Sequence, residues 1–294
     1  MSAAGPAPLA DPAVRAAIAE TCGSEPTSAV RLHGGCLAEV YRVTLADGAA
    51  LVAKVQPLGD AFDLSLEGFM LRYLAEHSSL PVPRVLRSSR DLLLMELVEH
   101  GGRVGGSAER HLAELLAALH GITGPGFGFE RDTVIGPLRQ ANDWSPDWPG
   151  FFGARRLLPL GRLLRDAGKL SDRAARDLER MTARLPDLIP SGASPSLIHG
   201  DLWSGNVLVK DGRIAACLDP AIYFADPEIE LAFGTLFGPL GRDFFARYHE
   251  LRPIPPDFFE ERRDLYNLYP LMVHALLFGG SYIGEVTARL RRFA

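Results

Sequence analysis

The spacing of hydrophobic and polar positions changes several times along the chain, and each change predicts an element. In "DPAVRAAIAE" (residues 11–20) an Asp precedes Pro12 and a run of good helix formers, so Asp11 reads as an N-cap and Pro12 as the first helical residue. The next stretch, "LAEVYRVTLADGAALVAKVQ", alternates apolar and polar positions on both sides of "ADGA". That pattern predicts a hairpin with Leu37 to Leu45 going up, a turn at Asp47 and Gly48, and Ala50 to Val55 coming back. Helical spacing returns in "LSLEGFMLRYLAEH" (64–77). "RVLRSS" and "DLLLMELV" then read as two short strands, before the polar, Gly-rich "EHGGRVGGS" (99–107).

Downstream the spacing is mostly helical. "AERHLAELLAALHG" (108–121) is amphipathic, with Gly121 expected as its C-cap. An aperiodic loop follows to residue 148, and loops of that length inside a domain usually carry function. Helices are expected over 149–167 and 171–185, then over 227–251 and 257–281. Between these pairs, "SLIHGDLWSGNVLV" (196–209) and "RIAACLDP" (213–220) read as short strands around a turn at Asp211 and Gly212. The expected fold is α+β and bilobal: a small antiparallel-sheet N-lobe over residues 1–97, a hinge near 97–106, and a larger, mainly helical C-lobe over 98–294.

Composition narrows the setting. The 294 residues are 47% hydrophobic and 23% charged, with a net charge of -5, which suits a globular chain and gives no basic field for nucleic acid. The basic "ARLRRFA" at the C-terminus reads as a solvated last helical turn. Three cysteines without metal-ligand spacing point to a reducing compartment. The N-terminus has no basic segment leading an apolar core, and "LYPLMVHALLFGG" is short and interrupted by His274. A soluble, cytoplasmic monomer with no membrane partner is expected.

The chemistry concentrates in "HGDLWSGN". Asp201 and Asn206 have four residues between them, and Asp219 follows at the end of the next strand. In phosphoryl transfer an Asp takes the proton of the attacking hydroxyl, while an Asn and a strand-end Asp hold Mg²⁺ on the phosphates. Glycines at 200 and 205 let so tight a loop form. Upstream, Lys54 lies in an apolar strand and Glu67 on the next helix, a pair that would position Lys54 against nucleotide phosphates. Gly34 and Gly35 lie in a turn that could cover those phosphates, and Met95, Glu96 and Leu97 form a strip whose backbone would meet adenine. Each feature alone has a plainer reading: Asx residues cap turns, a strand Lys snorkels, and "LLLMEL" is a buried strand. The three acids and amides in this order argue against those readings.

"HGDLWSGN", together with "GFGFERDTVIGPLRQANDW", "WPGFFGARRL", "LDPAIYFADPEIELAFGTLFG" and "YNLYPLMVHALLFGGSY", resembles the fructosamine/ketosamine kinases. These are a branch of the aminoglycoside-phosphotransferase-like superfamily with a protein-kinase-like fold. The resemblance implies ATP- and Mg²⁺-dependent phosphorylation of a ketoamine sugar, typically at its 3-hydroxyl, on a free amine or a glycated protein. Such a 3-phosphate is unstable, so the amine is released and glycation reversed. Carried over by position, Asp201 is the base, Asn206 and Asp219 are the metal ligands, and Lys54 with Glu67 is the phosphate-positioning pair. His199 is expected to brace the loop. Glu230 stands where the superfamily often has Asp and is expected to hold the loop's backbone, with Asp226 as an N-cap. Trp203 could stack on a sugar or amine substituent or lie in the core, and His274 could touch substrate or be a core histidine. Cys36, in the Gly-rich turn, is a candidate redox switch, with a disulfide-linked dimer as one outcome. The competing readings are a kinase for an aminoglycoside, choline or another sugar, and a nucleotide-binding pseudokinase.

Overall fold

Asp11 and Pro12 begin the first helix as expected in the computed structural model, which describes residues 8–32, 38–56 and 63–294. Gly34, Gly35 and Cys36 lie outside the described residues. Helix α1 (Pro12–Cys22) is capped by Asp11, whose carboxylate accepts the Ala13 N–H at 2.8 Å, a cap contributing about 1 kcal/mol. Strands β1 (Pro26–Arg31), β2 (Glu39–Leu45) and β3 (Ala50–Val55) follow, then α2 (Leu64–His77), capped by Asp63. Strands β4 (Val85–Ser88) and β5 (Leu92–Glu96) complete an antiparallel sheet ordered β1-β2-β3-β5-β4.

Strand alternation sends neighbouring side chains to opposite faces of this sheet. On one face Val14 and Ile18 of α1 pack with Tyr41, Val43, Leu51, Ala53, Leu92 and Leu94. On the other, Leu64 and Leu71 of α2 pack with Leu93 and Met95. β5 is therefore buried on both faces, which is why "LLLME" is a continuous apolar run and not an alternating one. The same alternation puts Lys54 on the α2 side of β3, opposite to Ala53.

The rest of the chain comprises α3 (Ser107–Leu119), β6 (Thr133–Ile135), β7 (Leu138–Gln140), α4 (Trp148–Phe151), α5 (Leu158–Asp166), α6 (Asp172–Ala183), α7 (Leu185–Leu188) and β8 (Ser196–Ile198). Then come β9 (Val207–Lys210), β10 (Arg213–Cys217), β11 (Tyr223–Ala225), α8 (Glu228–Leu236), α9 (Arg242–Leu251), α10 (Arg263–Tyr266), α11 (Leu268–Phe278) and α12 (Ser281–Phe293). Among the described residues, no helix is long and apolar enough to cross a membrane.

The chain divides into two compact units that interleave in sequence. One comprises residues up to 104 with 134–138 and 205–221; the other comprises 105–133, 139–204 and 222–294. A single cut after Leu97 does not describe this division. The β9–β10 hairpin groups with the five-stranded sheet because Gly101 and Gly102 donate their N–H groups to the Val209 carbonyl at 2.9 and 3.0 Å, and Cys217 donates to Pro81 at 2.7 Å. Lys210 also pairs with Glu99. The hairpin turn holds both Asp211 (φ 51°) and Gly212 (φ 71°) in left-handed conformation, the geometry that Asp-Gly favours.

Three details depart from the sequence expectations. α3 ends one residue early: His120, not Gly121, takes the capping position, with right-handed backbone and its N–H on Leu116 O at 2.8 Å. The long loop contains the β6–β7 hairpin and a reciprocal backbone pair between Phe127 and Ser145. The helix over 149–167 contains a π-helical turn at Phe152–Leu157. Wide turns of this kind interrupt the 3.6-residue register, and this one carries a buried Arg156 whose guanidinium lies 3.9 Å from the Tyr223 ring centre.

Two glycines discriminate between tight and forgiving packing. A Cβ on Gly234 in α8 would come within 2.3 Å of both Cγ and Cδ1 of Leu240, so the whole leucine must move. On Gly161 in α5 it would meet only the tip of Leu178, Cδ2 at 2.2 Å, with the next atom at 3.7 Å. Gly234→Ala is expected to cost about 1–3 kcal/mol in urea unfolding and Gly161→Ala distinctly less. Equal costs would mean that Leu240 moves as freely as Leu178.

Candidate active site

Lys54 is 7% exposed, and a buried ammonium is costly unless anions meet it. Two do. Glu67, reached across the sheet face from α2, lies 2.7 Å from Nζ, and Asp219, at the end of β10's continuation, bonds the same nitrogen. Burial disfavours the Lys54 charge, but the two carboxylates outweigh it and raise its pKa. Glu67 is pushed upward by burial, partly offset by Lys54 and reinforced by Asp219. The acids are not equivalent: the Glu67 side chain is 8% exposed, whereas that of Asp219 is 36% exposed and presents an open face.

Asp219 has φ 53°, a conformation an L-residue other than Gly seldom adopts and which costs on the order of 1 kcal/mol. The bend turns its carboxylate off the strand line toward Lys54. Asn206 is held across the hairpin mouth: Cys217 pairs with Val207, and Leu218 N–H donates to the Asn206 carbonyl at 2.8 Å. The sequence pair Asn206 and Asp219 is thus brought together by β9 and β10, and Lys54, Glu67 and Asp219 meet at one point. The side chains that could hold a cation are Asn206, through its amide oxygen, and Asp219, through the carboxylate that also meets Lys54. That hard-oxygen set suits Mg²⁺, which takes few protein ligands and completes its shell with phosphate and water.

In the other unit the loop carrying Asp201 is held from beneath by Glu230 on α8. Its Oε1 accepts the Gly200 N–H at 2.7 Å and its Oε2 the His199 N–H at 3.2 Å. His120 Nε2 also bonds Oε2, at 2.9 Å, and His120 Nδ1 meets the Tyr248 hydroxyl at 2.7 Å. Burial would raise the Glu230 pKa; the His120 bond, the nearby His120 and His199 rings and the Gly200 N–H together lower it. Gly200 has φ 85°, so the loop needs glycine there. His199 is fully buried, and its Nδ1 takes the Asp201 N–H at 3.4 Å. Its expected bracing role and the expected backbone hold by Glu230 both match this arrangement. Asp226 does more than cap. One oxygen accepts the Glu228 N–H at 3.0 Å and the other the Tyr266 hydroxyl at 2.7 Å, while burial raises its pKa to about 6.

The remaining sequence candidates separate by exposure. Trp203 is 39% exposed, which removes the core-tryptophan alternative. His274 is half-buried among Phe237, Tyr282 and Phe278, with ring centres 4.6, 5.2 and 5.5 Å away. Its Nδ1 faces the Pro270 carbonyl at 2.8 Å and so carries the proton, and burial lowers its pKa. Ser204 ties the loop to that aromatic group by donating to the Phe237 carbonyl at 2.9 Å. Gln140, Asn142 and Trp148 are buried and structural; Trp144 is 44% exposed. Met95 is buried in β5, with Glu96 and Leu97 half-buried after it. Sequence reasoning missed His120 and Tyr248, which look like ordinary members of amphipathic helices and meet Glu230 only through folding.

The sequence model of the fructosamine kinase family matches residues 11–293. A probable ketoamine kinase of Synechocystis sp. is 33% identical over 270 residues, covering 89% of this chain and 88% of that protein. A chloroplastic protein-ribulosamine 3-kinase of Arabidopsis thaliana is 32% identical over 258 residues, covering 85% and 77%. The crystal structure of a candidate fructosamine-3-kinase from Thermobifida fusca superposes with a TM-score of 0.85 at 33% identity, over 95% of this chain and 97% of that one. A thermostable aminoglycoside phosphotransferase, at 21% identity and a TM-score of 0.64 over 95% and 99%, shares the fold. The expected α+β, kinase-like fold is the one these structures have in common. The chain belongs to the fructosamine kinase family, ATP-dependent kinases of ketoamines.

Proposed function

We propose that the chain transfers the γ-phosphoryl group of ATP to the 3-hydroxyl of a ketoamine sugar, and that the resulting phosphate decomposes to free the amine. The observation that carries this reading is the buried Lys54 held between Glu67 and Asp219. Such a cation, fixed in space and facing a partly open carboxylate, is what a triphosphate needs for alignment. The names of the relatives, ketoamine kinase and protein-ribulosamine 3-kinase, support a ketoamine acceptor, free or protein-borne.

In the proposed reaction Lys54 Nζ orients the α- and β-phosphates, with Glu67 keeping it from swinging away. Asp201 accepts the proton of the sugar hydroxyl as that oxygen bonds to the γ-phosphorus and the bond to ADP breaks. Asn206 and Asp219 would hold Mg²⁺, which when bound neutralises charge on the phosphate oxygens. Met95, Glu96 and Leu97 would offer backbone groups to the adenine. Trp203, two residues beyond the base and exposed, would stack on the sugar or its amine substituent, and His274 would offer its unprotonated Nε2. The setting is the cytoplasm, where ATP is supplied, and the working unit is the monomer. Cys36 stays a candidate for redox control of the phosphate-covering turn.

ATP consumption with a ribulosamine, a fructosamine, kanamycin and choline tests the function; turnover confined to kanamycin or choline would overturn it. Asp201→Asn should retain nucleotide binding and lose about 10²-fold or more in kcat, and near-wild-type turnover at saturating ATP would remove Asp201 as base. Asp219→Ala should abolish turnover and weaken Mg·ATP binding, and calorimetry is the check. Unchanged Mg·ATP affinity with normal activity would contradict the ligand role. Trp203→Ala should raise KM for the ketoamine while leaving KM for ATP unchanged. A rise in the ATP value alone would place Trp203 elsewhere.

A further inference from the structure

Glu230 keeps two oxygens on two successive peptide N–H groups, and a carboxylate can hold both only while it stays ionised and does not rotate. At 2% exposure it is shut off from bulk solvent. Among the described residues, the side chain that bonds it is His120, from the C-terminal end of α3, 110 residues earlier in sequence. Both histidine and carboxylate are buried, so this bond is made in a low-dielectric setting where charge-assisted hydrogen bonds are strong. The proton positions follow from the partners. An ionised carboxylate only accepts, so Nε2–H is the donor to Glu230 Oε2, and Nδ1 is left to accept the Tyr248 hydroxyl hydrogen.

We propose that His120 is a positioning residue for phosphoryl transfer: its Nε2–H fixes the Glu230 carboxylate, which in turn sets the peptide units of His199 and Gly200 immediately before Asp201. The inference rests on Asp201 being the base. Without His120, Oε2 keeps only the longer His199 bond, at 3.2 Å, while Oε1 keeps Gly200 at 2.7 Å. The carboxylate can then turn about the Gly200 bond, and the backbone leading into Asp201 loses one of its two points of attachment. Lys54, Glu67 and Asp219, the groups proposed to meet the nucleotide, are not members of the series of bonds from His120 through Glu230 to the His199 and Gly200 peptides. The loss should therefore fall on kcat.

The donor's position makes the idea testable. A glutamine amide nitrogen falls near the place of histidine Nε2, whereas an asparagine amide falls near Nδ1. His120→Ala and His120→Asn should lower kcat about ten-fold with KM for ATP unchanged, and His120→Gln should recover most of that loss. Hydrogen exchange should show faster exchange at the Gly200 amide in the first two variants than in the third. Asp201→Asn, assayed in parallel, separates the two claims. If it is inactive while His120→Asn keeps wild-type kcat, the positioning role is wrong and the base assignment stands. If Asp201→Asn is fully active, the base assignment itself fails. Equal losses in the Asn and Gln variants, or failure of all three His120 variants to fold, would reduce His120 to a packing residue and overturn the proposal.

Discussion

A lysine ammonium taken out of water has to be met by anions, and the way Lys54 is met fixes the geometry of everything around it. Its place on β3 requires the strand's register, since a one-residue slip would turn it to the α1 face, among Tyr41, Val43 and Leu94. Its partner Glu67 requires α2 to lie on the opposite face, where Leu64 and Leu71 pack on Leu93 and Met95. Its second partner requires the β9–β10 hairpin, with Asp219 bent into a left-handed conformation. Breaking a buried ion pair by removing one partner typically costs about 3–5 kcal/mol. Glu67, buried as deeply as Lys54, carries more of that cost than the half-open Asp219. The two acids thus differ in setting: Glu67 meets the cation from inside the protein, and Asp219 from a partly open position.

Glu230 solves a related problem with the charges reversed. Here the buried group is an anion, and what it holds is peptide backbone. Glu in place of Asp adds one methylene, enough for the carboxylate to lie flat against two consecutive N–H groups while its edge still faces His120. The acids at 67 and 230 share one logic. Each fixes another group, an ammonium in one unit and the backbone before Asp201 in the other. That is why both are buried, whereas Trp203 and the Asp219 carboxylate keep an open face.

Where the sequence was informative, it was so for physical reasons that act locally. A cap next to a proline, an alternating hairpin around Asp-Gly, and a helix with apolar residues at every third or fourth position are all readable from neighbours in sequence. So α1, α2, β2, β3 and β5 are found nearly where expected. The candidate residues Asp201, Asn206 and Asp219 stood out because phosphoryl transfer needs a fixed order of acid, amide and acid. Strands of three residues, such as β6, β7 and β11, carry too little alternation to stand out from loop. His120 was illegible for another reason. Nothing near it in sequence distinguishes a histidine that ends a helix against solvent from one that ends it against a buried carboxylate.

The long loop after α3 shows what replaces periodicity where a segment is ordered without it. Gln140 donates to the Tyr269 hydroxyl at 2.7 Å and accepts from Thr133 at 3.0 Å, while Asn142 donates to Thr133 at 2.8 Å and to the Arg131 carbonyl at 3.1 Å. Arg156 donates to the Ala141 carbonyl at 2.9 Å and to the Asn142 amide oxygen, its guanidinium flanked by the faces of Phe151 and Tyr223. A buried guanidinium usually seeks a carboxylate; here carbonyl oxygens and π-faces serve. The side chains of Gln140 and Asn142 are therefore spent on holding the loop. Trp144, 44% exposed, keeps part of its ring open to solvent while the rest leans on Phe224, with ring centres 5.9 Å apart.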